Sequence, residues 1–536
     1  MKNSSAHATC TELDAVQAAV HRLAQKSEEQ AEQQPQPQLQ PQPQPDPSSQ
    51  HAVHHAVPEV SRPARSYIDL PGPRGWPLLG NALQLQGLGF HSQLESWAGQ
   101  YGPYYRLRIV GRNYMVLSDR EAIAGLLRAR PEGMRRSSRV SGLIEECGLR
   151  SVFTAEGEDW RRQRRLAMRA MTPEVVRRFF PTLARLNARL RRRWQDALET
   201  GQPIAIMHDL NAYALDVVAA FSLGEDFNCL QNSSSLPHDI EQVFGRVSAR
   251  LTTLVPYWRY LRLPADRAME AGMRRARAAI QDCIARARER MRAQPELASR
   301  PSNMLEAMLV ACAAADSEWH DDDVIGNALI MVFAGEDTSS HTLAWLLDLA
   351  ARHPEAMAGM VEESDRVLGA GFQAESMQML DRLTYTEAAI KEAMRLKPVA
   401  PIIGLEPNQD TRIGDVWVPA GTIVVSLLRH AVAQDLALEQ AQEFRPERWL
   451  NAQAGQEPCA LEKKLMPFGG GPRFCPGRYL ALAQMRMLIS MLMRNFEFRL
   501  RPDAAPVEEC YTVTMKPSSL PLEVRRRSGE RWSVFN

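Results

Sequence analysis

The stretch Phe468-Gly469-Gly470-Gly471-Pro472-Arg473-Phe474-Cys475-Pro476-Gly477 restricts this chain more than any other. Three glycines precede the cysteine and prolines stand at 472 and 476. The result is a rigid turn whose backbone can come close to a flat ligand. A helical pattern follows at once, with Leu480, Ala483, Met487, Leu488 and Met491 on one face between Arg478 and Met493. The N-terminus of that helix sets unpaired N–H groups and a positive dipole end beside Cys475, and both favour a thiolate. A soft thiolate suits an iron porphyrin and pushes electron density toward O–O cleavage. A buried structural cysteine in a glycine-rich loop is the plainer alternative. Against it stands the pattern F-x-x-G-x-R-x-C-x-G, met at Phe468, Gly471, Arg473, Cys475 and Gly477.

The other cysteines (Cys10, Cys147, Cys229, Cys283, Cys312, Cys459 and Cys510) form no CxxC and no zinc spacing, as in a protein of reduced thiols. A net charge of +1 creates no field for nucleic acid, and none is expected as a partner. The first 30 residues lack the apolar core of a signal peptide. No run of about 18 apolar residues occurs, so no transmembrane anchor is expected, and the protein reads as soluble and cytoplasmic.

Residues 1–65 differ from the rest. Thr11 to Gln30 has the spacing of a short amphipathic helix, with Leu13, Val16, Val20 and Leu23 on one face. Gln33 to Pro47 largely alternates Gln and Pro, which favours extended, solvated chain. We read a disordered extension ahead of a single catalytic domain, 66–536, and prefer a flexible tail to a partner-binding one. The domain begins with rigid Gly/Pro turns from Pro71 to Asn81, then two short strands between Tyr104 and Leu117. From 155 to 400 the pattern is mostly helical, with one proline-free run from Asp323 to Leu349. Strand character returns over 411–426. The fold class is mainly α with a minor β-sheet region.

Three further motifs carry chemistry. In the long helical run, Ala334-Gly335-Glu336-Asp337-Thr338-Ser339 puts a costly mid-helix glycine beside an acid and an alcohol. A small residue there lets a ligand lie against the helix, and Asp337 with Thr338 can relay protons. Apolar flanks argue against a solvent face. Glu392 and Arg395 are spaced to pair on one helix face, a weak signal alone. Trp160 and Arg164 sit one turn apart within Trp160-Arg161-Arg162-Gln163-Arg164-Arg165, otherwise an ordinary solvated basic face.

In this order, the motifs resemble the cytochrome P450 superfamily over residues 66–525, in an E-class-like form. The resemblance implies that fold, with haem between the long oxygen-activation helix and the cysteine-loop helix. It implies Cys475 as the iron ligand, Phe468 near the sulfur, Gly477 under the ring, and Trp160, Arg164 and Arg473 on the propionates. Asp337 and Thr338 would deliver protons. Glu392, Arg395 and Arg448 (from Phe444-Arg445-Pro446-Glu447-Arg448-Trp449) would form a structural charge network. The implied activity is a haem-thiolate monooxygenase that hydroxylates or epoxidises an apolar small molecule. Its cofactor would be heme b (iron protoporphyrin IX) with O2 as co-substrate. Electrons would come from NAD(P)H through a separate reductase and a ferredoxin or flavodoxin-type donor, since the chain carries no flavin or ferredoxin segment. The Arg161–Arg165 cluster with Lys463 and Lys464 offers such a donor a positive face. A monomer is expected. The rivals are a peroxide-dependent or rearranging haem-thiolate enzyme and a non-catalytic haem sensor; Asp337-Thr338 speaks against both.

Two departures stand out. Relatives commonly carry a propionate-binding arginine where Leu405 stands here, leaving Arg429 or His430 as substitutes. Ala431-Val432-Ala433-Gln434-Asp435 replaces the usual His-Arg-Asp-Pro. The pocket wall is expected from the 131–153 loop, the face around Ala334, and Val399 to Ile403.

Overall fold

The computed structural model describes residues 64–85, 87, 89–231, 243, 245–247, 249–250, 253, 256–433, 440–450 and 465–527. The Thr11–Gln30 helix, the Gln/Pro tract, Gln434, Asp435, Lys463 and Lys464 lie outside these residues.

Helix starts follow the sequence's own stop signs. Pro173 and Pro354 occupy first helical positions, where a missing N–H costs nothing, and Thr172 caps Pro173–Glu199 by accepting from the Val175 N–H. The proline-free run forms one helix, Asp321–Arg352, opened by Asp321, Asp322 and Asp323 against its positive dipole end. Every residue from Val324 to Phe333 and from Ser339 to Ala350 is buried. A helix buried on every side is the axis of a core. The interruption, Ala334 to Thr338, marks where a cavity meets it.

Helix Ile206–Leu223, buried throughout from Ala212 onward, packs along this axis. Gly335 lies at the contact: a Cβ there would sit 2.6 Å from Val218 Cγ2. The mid-helix glycine therefore serves close helix packing as well as the cavity it lines.

The strands expected between Tyr104 and Leu117 join a five-stranded sheet in the order Tyr104–Ile109, Arg112–Leu117, Ile423–Leu427, Ile402–Pro407, Met134–Arg136, whereas Thr411–Ile413 and Val416–Val418 of the 411–426 stretch pair in a separate sheet with Arg65–Ser66. Within the five-stranded sheet, only the Arg112–Leu117/Ile423–Leu427 pairing is parallel. The edge pairing sets Arg136 opposite Leu405 and Arg135 opposite Glu406. Leu405 is fully buried with Met115, Met134 and Val424 in an apolar cluster separate from the helical core. The cysteine loop is followed by helix Arg478–Asn495, as its apolar face requires. No described helix is long and apolar enough to cross a membrane.

Candidate haem and substrate site

A cavity of about 1070 Å³ opens where Ala334, Gly335 and Thr338 of the long helix face Cys475 and Gly477 of the cysteine loop. The loop's shape depends on Gly471: its φ is +66°, and a Cβ would fall 2.0 Å from the Leu127 carbonyl oxygen. The Cys475 N–H donates to Phe468 O at 2.9 Å, which ties the two ends of the turn. A Cβ on Gly477 would meet nothing closer than Met331 Cε at 3.5 Å, so the space over it belongs to the cavity. Burial pushes the Cys475 thiol up, against the pull of the Gly477 N–H, Arg164 and Arg478. The helix end alone does not secure a thiolate; a bound metal cation would.

One wall of this cavity holds Arg130, Arg136, Arg164 and Arg473. Arg130 is 2% exposed, and its Nε and Nη2 have no hydrogen-bond partner. Arg473 Nε and Nη1 and Arg164 Nη2 are likewise buried without one. Burial, then the neighbouring Arg130 and Arg473 charges, lowers Arg136 to about 9; burial and Arg473 lower Arg130 to about 10. The carboxylate acting against this is Glu156, which accepts from Arg473 Nη2 and from the Arg136 backbone N–H. An unpaired buried donor costs about 1–3 kcal/mol, and more when charged. The wall therefore lacks anions. A pair of carboxylates on a flat apolar ring fits this donor set, since guanidinium forks match carboxylates two by two. Trp160, 6% exposed, stacks on the Arg473 guanidinium at 4.7 Å, and Phe474 lies 4.5 Å from that of Arg164.

The arginine missing at 405 has a counterpart across the strand. Arg136, the register partner of Leu405, lines the cavity, whereas Leu405 packs into the core. Of the substitutes read from sequence, Arg429 reaches the cavity but is held by Glu95 and Glu509, and His430 does not line it. Sequence reading missed Arg130 and Arg136. Their signal was the basic run beginning at Arg130 in a loop otherwise read as an apolar wall.

Thr338 and Asp337 are separated by the helix. Thr338 lines the cavity, and its hydroxyl donates back to Ala334 O at 2.6 Å. Asp337 is not among the lining residues; its Oδ1 lies 3.9 Å from Nε2 of the buried His341.

The Glu392 group comes together as a closed network, although Arg395 also lines the cavity. Glu392, fully buried, accepts from Arg395 Nε at 2.9 Å and Nη2 at 2.8 Å. It also accepts from Arg448 Nε and Trp449 Nε1, each at 2.8 Å. Arg395 spends its remaining N–H groups on the Ala441 and Glu443 carbonyls. Burial pushes the Glu392 carboxyl up, but Arg395 and Arg448 outweigh it and hold it below the usual range.

The basic cluster beside Trp160 is not a bare positive face. Arg161 pairs with Glu132 and Glu158, Arg162 with Asp323 and Asp159, and Arg165 with Glu318.

A model of the cytochrome P450 family matches residues 70–524. The mitochondrial 25-hydroxyvitamin D-1 alpha hydroxylase of Homo sapiens is 30% identical over 489 residues, covering 86% of this chain and 92% of its own. The same enzyme of Rattus norvegicus is 28% identical, covering 84% and 92%. The chloroplastic protein LUTEIN DEFICIENT 5 of Arabidopsis thaliana is 24% identical, covering 80% and 73%. These mitochondrial and chloroplastic relatives overturn the expectation of a cytoplasmic protein. That expectation rested on a missing apolar leader, and organelle-targeting segments are amphipathic and basic instead. With the match running through nearly all of the described domain, the chain belongs to the cytochrome P450 family and is a haem-dependent monooxygenase.

Proposed function

We propose that Cys475 Sγ binds the haem iron and that Arg130, Arg136, Arg164 and Arg473 hold the two propionates of heme b. The observation that carries this reading is the set of buried guanidinium nitrogens without partners on the wall of the cavity that also contains Cys475. Bound there, the haem supplies dioxygen activation: one oxygen atom enters the substrate and the other leaves as water, with two electrons and two protons consumed.

The chain's own residues bind, exclude water and move protons. Thr338 Oγ1 is oriented by its bond to Ala334 O and faces the cavity, so it passes protons there. Asp337 replenishes them from the less buried flank of the same helix. Leu149, Val152, Phe153, Ile402 and Ile403 make the wall apolar, which selects an apolar small molecule. Hydroxylation is the favoured outcome, as in the relatives whose names state it. Residues 66–536 are taken as the catalytic domain and 1–65 as an extension. A separate ferredoxin or flavodoxin-type donor, reduced from NAD(P)H, supplies the electrons.

The test is a ligand screen that follows the iron spin state, then turnover of the best ligand with NADPH and a surrogate reductase. Product formation that depends on O2 and reductase supports the reading. Product formed from peroxide alone, and none with reductase, would overturn it. Thr338→Val should slow product formation about 100-fold while diverting electrons to peroxide.

A further inference from the structure

Part of the apolar wall is a short irregular segment, with Leu149, Val152 and Phe153 facing the cavity. Irregular backbone needs partners for its N–H groups. Among the described residues, the Val152 N–H has no backbone partner; it donates to Asn327 Oδ1 at 3.1 Å. Asn327 sits on the long helix about two turns before Ala334 and is fully buried. Its Nδ2 donates to the Asp323 carbonyl at 2.8 Å and to Gln163 Oε1. Gln163, 1% exposed, donates in turn to Asp323 Oδ1, a carboxylate that Arg162 grips at 2.6 and 2.8 Å.

The neighbouring residue presses the same segment onto the helix. A Cβ on Gly326 would lie 2.0 Å from Arg150 O, so the segment's carbonyl rests against bare helix backbone. The far end of the segment reaches the arginine wall, where Phe153 O accepts from Arg136 Nε at 3.1 Å and Ala155 O from Arg473 Nη2 at 2.8 Å. Asn327 is thus the fixed point from which the Val152–Phe153 wall is hung, and Gln163 holds its amide in the orientation that presents Oδ1.

We propose that Asn327 is a positioning residue that sets how far the Leu149–Phe153 wall stands from the long helix, and so the width of the substrate cavity. It touches no substrate; it acts through Val152. The proposal rests on the haem reading above, because its probes are haem-ligating azoles.

The test uses the holoenzyme and Asn327→Leu, which keeps the side chain's size and removes its polar groups. Imidazole probes access to the iron, and 4-phenylimidazole also probes the wall. Asn327→Leu should weaken 4-phenylimidazole about tenfold and leave imidazole within about twofold. Hydrogen exchange at the Val152 amide should quicken by about tenfold or more. A merely structural role would lower the melting temperature and leave the ratio of the two affinities unchanged; that result, with an unaltered Val152 amide, overturns the proposal. Should Asn327→Leu fail to fold, Gln163→Leu leaves Asn327 in place, removes its strut together with one bond to Asp323, and should shift the same ratio in the same direction; no shift overturns the proposal. A wild-type protein with no spectral response to imidazole would instead sink the haem reading, while Val152 exchange still decides the role of Asn327.

Discussion

Around Glu392 all three guanidinium nitrogens of the buried Arg395 find an oxygen, whereas around Cys475 five nitrogens of Arg130, Arg164 and Arg473 find none. Both regions bury arginine, which is costly without partners. In the first, one carboxylate, one indole and three backbone carbonyls close the network within the chain. In the second, Glu156, joined by Glu132 at Arg473, faces three arginines, Arg130, Arg136 and Arg473, that repel one another. A closed network does a structural task. An open one is built for something the chain does not contain, and its open donors describe that partner's charge and shape.

The contrast can be broken experimentally. Glu392→Leu should be the most damaging change, because it leaves Arg395 and Arg448 buried without a counter-charge; about 3–5 kcal/mol should vanish from unfolding in denaturant. A loss under about 1 kcal/mol would mean the network holds little. Arg130→Met should act in the opposite sense on the fold. The haem-free protein should be as stable as wild type or more so, while haem transfer to apomyoglobin should show affinity reduced by about 1.5–3 kcal/mol. If Arg130→Met destabilises the haem-free protein as Glu392→Leu does, the two regions are alike and the contrast fails. Arg136→Met should cost less, about 1 kcal/mol of haem affinity, because that guanidinium already has the Phe153 carbonyl.

The smallest effect is in acid. The Glu392 carboxyl is held below its ordinary 4.5, so its share of stability is complete above that pH and is lost as pH falls through the lowered value. Unfolding titrations of wild type against Glu392→Gln should show an acid-dependent difference. The arginine wall, charged throughout that range, should contribute no such slope.

Much of this was legible in the sequence because it is local. The turn of Phe468–Gly477, the helix after it and the long helix over Asp323–Leu349 each follow from glycine, proline and apolar spacing within one segment. Glu392 and Arg395 are three residues apart, so their pairing was readable, and Arg448 followed from the family pattern. What escaped depends on contacts far apart in the chain. The register that sets Arg136 opposite Leu405 joins residues 269 positions apart and leaves no trace in either segment. Gly335 read as room for a ligand, while the neighbour it must clear, Val218, belongs to a distant helix. The Arg161–Arg165 run read as a positive face because three of its carboxylates, Glu132, Glu318 and Asp323, lie on other elements.

Cys475 is proposed as the thiolate ligand of a haem whose propionates the arginine wall would hold. The carbon monoxide complex of the reduced protein tests it most directly, read for wild type and Cys475→His side by side. Wild type should give the red-shifted Soret band of thiolate-ligated haem, and Cys475→His should move it to the position of histidine-ligated haem. A histidine-type band in wild type, or an unchanged band in Cys475→His, would contradict it.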